Sequence, residues 1–155
     1  MTRLRDLAPF PVLWSRRTTL TDEAGETCDL LAVEDLVQAK KTQREKDWPM
    51  IAALVEGHYH ALKNEPTPER RAFWLREARS PERLRDLAAR FPAEARAMQA
   101  ARPLLAHAIA SDLDALRTAL DVETRAEQAK DRAYWEPLRR ELEQFRREET
   151  QKKDG

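Results

Sequence analysis

The chain has 155 residues with 28 Lys+Arg against 28 Asp+Glu, so bulk electrostatics give no reason to expect nucleic acid or an anionic membrane as partner. Charged residues make up 36% and aromatics 6%, which suits exposed helices around a modest core, in one domain or one domain with a helical appendage. The single cysteine, Cys28, excludes an internal disulfide framework and a Cys-rich zinc site, and without a membrane-spanning run or a secretory hydrophobic region the chain reads as soluble and cytoplasmic.

Residues 1–14 carry Leu4, Leu7, Phe10, Val12, Leu13 and Trp14, interrupted by Pro9 and Pro11, which forbid a continuous helix. A helical turn leading into an extended segment is expected. Two short β-favouring runs, residues 16–20 and 27–32, then flank Asp22-Glu23-Ala24-Gly25-Glu26 and predict a hairpin. A lone hairpin is marginal in water, so it must pack on the helices that follow or pair with another strand. Cys28 lies within it, with no histidine or helix start nearby to activate it, and reads as a buried, inert thiol.

The next stretch organises the chain. Val33, Leu36, Val37, Lys40 and Arg44 fall on one stripe of a helix over residues 33–43 that begins apolar and ends cationic. Lys46-Asp47-Trp48-Pro49 then looks like a helix start, with Asp47 as N-cap and Pro49 where no N–H is missed. The second helix buries Ile51, Leu54, Val55 and Leu62, with His58 on the same stripe as a hydrogen-bonded core histidine. His58 and His60 are two apart, diverge on a helix and cannot form a two-histidine metal site.

From Asn64 the composition turns to Ala, Arg, Glu and Leu, and Asn64-Glu65-Pro66-Thr67-Pro68 marks a break. Thr67-Pro68-Glu69-Arg70 and Ser80-Pro81-Glu82-Arg83 are near-copies: a hydroxyl N-cap, a proline at the first helical position and a glutamate near the positive helix end. Two short helices follow them. A further helix over residues 103–120 carries the stripe Leu105, Ile109, Asp112/Leu113, Leu116 and Leu120. The last helix, residues 122–149, is heavily charged, with Trp135, Leu138, Leu142 and Phe145 spaced three and four apart as a candidate interface. Pro137 either starts a new helix there or kinks a long one, and residues 151–155 read as a frayed polar tail. The expected fold is mainly α in an α+β arrangement: an N-terminal β-hairpin packed on two helices, then a helical C-terminal region. The two units are residues 1–63 and 64–155.

The run LLAVEDLVQAKKTQREKDWPMI resembles the distal part of nucleotidyltransferase-fold proteins of the abortive-infection toxin type. The resemblance covers about residues 16–59, with Lys40, Arg44, Lys46 and Asp47 as its motif positions, and FWLREARSPERL is similar to a stretch that trails this motif in bacterial proteins. It implies phosphate or nucleotide contacts from Lys40, Arg44 and Lys46, with Asp47 orienting one of them. Active members carry upstream a Gly-Ser or Gly-Gly turn and paired aspartates that seat metal ions. Here the glycines are Gly25, Gly57 and Gly155, and Asp112-Leu113-Asp114 lies in a helical pattern that turns the two carboxylates apart. No catalytic residue, metal ligand or cofactor is assigned.

Three functions follow as expectations. The first is an incomplete nucleotidyltransferase-like protein working through a separately encoded proximal half, which the hairpin edge would dock by strand addition. The second is an interaction module that forms a homo-oligomer or docks through its C-terminal helix. A free-standing enzyme is the weakest, since no nucleophile–base pair can be assembled. For Lys40, Arg44 and Lys46 there is also a plain alternative, with stems along the core edge and charged heads in water.

Overall fold

The computed structural model describes residues 5–153, which fold as the expected mainly helical protein with an N-terminal hairpin and a long C-terminal helix. In chain order come α1 (Phe10–Ser15), β1 (Thr18–Thr21), β2 (Thr27–Leu30), α2 (Val33–Ala39), α3 (Asp47–Leu62) and α4 (Pro68–Glu77). Then follow α5 (Pro81–Arg90), α6 (Pro92–Ala97), α7 (Leu105–Ile109) and α8 (Leu113–Lys153).

The N-terminal segment reverses the expected order. Asp6 has φ 58°, residues 7–9 are irregular, and the helix comes afterwards, with Pro9 at its cap and Pro11 in its first turn. Proline is tolerated there because the first N–H groups of a helix have no partner to lose. Leu4 lies outside the described residues.

The strands pair antiparallel from Thr18↔Leu30 to Thr21↔Thr27. Their turn is built by Asp22, whose Oδ1 accepts from Ala24 N and Glu26 N at 2.9 Å each, and by Gly25 at φ 83°, a conformation that favours glycine. All eight strand residues are exposed, so the hairpin does not bury a face on α2 and α3. It is tethered instead by Arg16, whose Nε and Nη2 pair with both oxygens of the buried Asp35 on α2. Cys28 is therefore exposed, contrary to the buried thiol expected, because neither face of the two-stranded sheet is covered.

The capping reading of the middle helices holds. Thr67 Oγ1 accepts from Arg70 N at 3.4 Å and Ser80 Oγ from Arg83 N at 3.2 Å, each followed by proline at the first helical position. Central α5 packs on α4, α6, α7 and α8. The core is one cluster running from Val37 through Ile51, Val55, Trp74 and Leu84 to Leu116 and Leu120, so it is continuous across the Asn64–Pro68 break.

The helix expected over residues 103–120 is two. α7 ends at Ile109, Ser111 takes φ 58°, and Asp112 Oδ1 accepts from Ala115 N at 3.0 Å to start α8. Asp112 and Asp114 are thereby directed apart, the second onto Arg117 Nη1 at 2.9 Å. α8 runs through Pro137 without ending, and the fraying expected from Gln151 gives way to helix as far as Lys153. Residues 154–155 lie outside the described residues. No helix among the described residues is long and apolar enough to cross a membrane.

Candidate functional site

The basic corner closes on itself. α2 ends at Ala39 with Lys40 as its C-cap, a loop over residues 40–46 follows, and α3 begins at Asp47, which is 1% exposed. Asp47 Oδ2 accepts from Thr42 Oγ1 at 2.5 Å and Arg44 Nε at 3.0 Å, and Oδ1 lies 3.6 Å from Lys40 Nζ. Asp47 is thus not the N-cap: α3 has no side-chain cap, and the carboxylate sits inside its first turn. There it still benefits from the positive helix end. Trp48 Nε1 donates to Thr42 O at 3.1 Å and holds the loop against the helix start. The corner gathers Lys40, Arg44 and Asp47, while exposed Lys46 makes no ion pair among the described residues.

The charge state of Asp47 follows from these contacts. Burial pushes its carboxyl up, but the Thr42 hydroxyl and the charges of Arg44 and Lys40 outweigh it, leaving the pKa below the ordinary carboxylate value. A folded-state value below the unfolded one gives stability present above the unfolded pKa and lost as pH falls through the folded one. Asp47→Asn is therefore expected to cost about 1.5–3 kcal/mol at pH 7. The gap from the native chain should close on acidification below the usual carboxylate range. Denaturant unfolding at neutral and acidic pH checks this, and an equal gap at both would reject the assignment.

Beside the corner lies a second feature. Asp131 of α8, 4% exposed, accepts from Gln43 N at 2.9 Å through Oδ2 and from Trp135 Nε1 at 3.1 Å through Oδ1, and Arg5 Nε lies 3.6 Å away. One carboxylate thus ties the loop, the N-terminal segment and α8 together. Between the loop and α8 opens a cleft of about 460 Å³, with Gln38 and Arg44 on one bank and Trp135, Leu138, Arg139 and Leu142 on the other. Lys40 and Lys46 do not line it. Of the four seam residues Trp135 is partly buried, whereas Leu138, Leu142 and Phe145 are 39%, 48% and 56% exposed. Every described residue of α8 from Pro137 to Glu149 is exposed.

Several polar partners were invisible in the sequence. Lys41 Nζ pairs with the buried Glu77 at 2.8 Å, and Arg102 joins Glu123 at 3.0 Å. His58 behaves as expected of a core histidine, with Trp74 Nε1 donating to its Nδ1 at 2.9 Å. His60 is exposed, 3.6 Å from Glu56 on its own helix. No group of three His, Cys, Asp or Glu among the described residues is placed to hold a metal ion.

The fold and site define a mainly helical protein with a projecting, partly apolar C-terminal helix. Comparison with protein-family models, with curated proteins and with solved structures finds no match to this chain. The nucleotidyltransferase resemblance therefore rests on its own residues.

Proposed function

We propose that this chain is a helical interaction module that docks through the apolar seam of α8. The observation that carries the reading is the projecting end of that helix, exposed throughout its described residues from Pro137 and bearing Leu138, Leu142 and Phe145 along one face. In proteins, tertiary packing of an apolar face rather than helix propensity ordinarily stabilises a helix. The first half of α8 has that packing through Leu116 and Leu120; the second half has only the seam. A phosphate-handling corner is less favoured, since an anion would compete with Asp47 for both Lys40 and Arg44.

The test is photo-crosslinking of the full chain in the producing cells. A benzophenone-bearing phenylalanine analogue replaces Phe145 in one variant and Arg147, two positions round the helix, in another. Adducts are expected at position 145, not at 147, and should disappear when Leu142→Glu is added. Equal adducts at both positions, or none at 145, would sink the docking reading.

A further inference from the structure

The seam carries its own statement of what covers it. Trp135, Leu138, Leu142 and Phe145 recur at three and four, the a and d positions of a heptad. That register places Arg132, Arg139 and Arg146 at the e positions and Tyr134, Glu141 and Glu148 at the g positions. One flank of the seam is arginine at each of three successive turns of the repeat, and the other carries no basic residue. The ion pair from Arg140 Nε to Glu136 Oε1, 3.0 Å, falls at f and b, on the outer face. Pro137, at c, is also off the seam, so it does not remove an apolar contact.

In a parallel pair of helices each g position faces the e position of the other helix five residues on. In an antiparallel pair e faces e and g faces g. Two copies of this helix side by side and parallel therefore set Glu141 of one against Arg146 of the other, twice by symmetry, and Tyr134 against Arg139. Two antiparallel copies would set arginine against arginine and glutamate against glutamate. Flanking charges of this kind fix both partner and orientation.

We infer that the occupant of the seam is a second copy of this chain, its α8 parallel and in register. The inference rests on the docking reading and names its partner. Leu138, Leu142 and Phe145 are exposed, so the pairing runs outward from Leu138 through Phe145, with the partly buried Trp135 at its inner edge. Three exposed apolar layers make a short contact, which gives a dimer that dissociates on dilution.

Sedimentation equilibrium of the full chain over a concentration series tests this. The mass is expected to rise from one chain to two, and Leu142→Glu should hold it at one. Glu141→Arg sets two arginines against each other at both symmetry-related contacts and should weaken association about tenfold. Adding Arg146→Glu to that variant restores opposite charges and should recover the native affinity. In a Cys28→Ser background, Leu142→Cys should oxidise to a linked dimer, because facing a positions of parallel helices lie about 6 Å apart, within disulfide reach. A single-chain mass at every concentration, a double variant no tighter than Glu141→Arg, or no disulfide at position 142 would each overturn the inference. A persistent adduct at position 145 in a chain that stays monomeric removes the second copy and leaves the docking reading standing. Loss of that adduct removes both.

Discussion

Replacing Arg102 by methionine is expected to lower stability by about 3–5 kcal/mol, whereas the same change at Arg79 should cost less than about 1 kcal/mol or be stabilising. The two guanidinium groups share Glu123 and are similarly buried, with side chains 6% and 7% exposed. Their partners differ. Arg102 Nη1 donates to Leu75 O at 2.8 Å, Nη2 to Ala78 O at 2.9 Å, and Nη2 and Nε both reach Glu123. Leu75 and Ala78 lie at the end of α4, where carbonyls have no helical partner and a cation is favoured. Removing Arg102 strands those carbonyls and leaves Glu123 without its main partner. Arg79 has no hydrogen-bond partner for Nε or Nη1 among the described residues, and Nη1 stands 3.6 Å from Glu123. Burial pulls its pKa below the ordinary arginine value, with Glu123 opposing. The Arg79 guanidinium lies 4.8 Å above the Trp48 ring, a cation–π contact that a methionine sulfur replaces with a sulfur–aromatic one, and Glu123 remains held by Arg102. Folded domains have only about 5–15 kcal/mol in hand, so the Arg102 loss is large on that scale. Denaturant unfolding of the two variants at neutral pH decides the matter, and equal losses would refute this account of the buried charges.

What the sequence could disclose was whatever is decided locally. Thr67-Pro68 and Ser80-Pro81 announce α4 and α5 because a cap and a fixed φ act within one turn, and the β-favouring runs around Gly25 announce the hairpin for the same reason. The break at Ser111 was hidden because Leu105, Ile109, Leu116 and Leu120 keep a helical spacing on both sides of it. The residue that restarts the helix, Asp112, occupied a position that also fitted the stripe. Asp47 reads as an N-cap in the sequence because its competing donors, Thr42 and Arg44, reach it only after the loop has folded back. Lys41–Glu77 and Gln43–Asp131 are separated by 36 and 88 residues, and no periodicity encodes a pairing at that range. The exposure of Cys28 was hidden differently: a β-favouring run shows that a strand forms, not whether anything covers it. The α8 seam was legible in its spacing, and the structure adds that its outer half projects past the core.

Replacing Trp74 by alanine is expected to cost about 3–5 kcal/mol, and replacing it by phenylalanine should cost less but change the pH dependence of stability. Trp74 is fully buried, edge-on to Tyr59 with ring centroids 5.1 Å apart, and donates its indole N–H to His58 Nδ1. An indole nitrogen is only a donor, so Nδ1 must be unprotonated and the neutral ring carries its proton on Nε2, 3.8 Å from Glu34 Oε1. Burial lowers the His58 pKa from 6.5, Glu34 pulls it back up and Arg70 pushes it down. Because the folded value lies below the unfolded one, the unfolded chain takes up the proton first. Stability therefore falls as pH drops through the ordinary histidine range and levels off below the folded value. In Trp74→Phe the donor is gone, so a proton on Nδ1 no longer opposes an N–H. The folded pKa should move back toward the ordinary value, though burial keeps it lowered. Unfolding free energies of the native chain and Trp74→Phe, measured between about pH 7 and 5, should show the shallower slope in the variant. Parallel slopes would mean that the indole hydrogen bond does not set the charge state of His58, and that burial alone does.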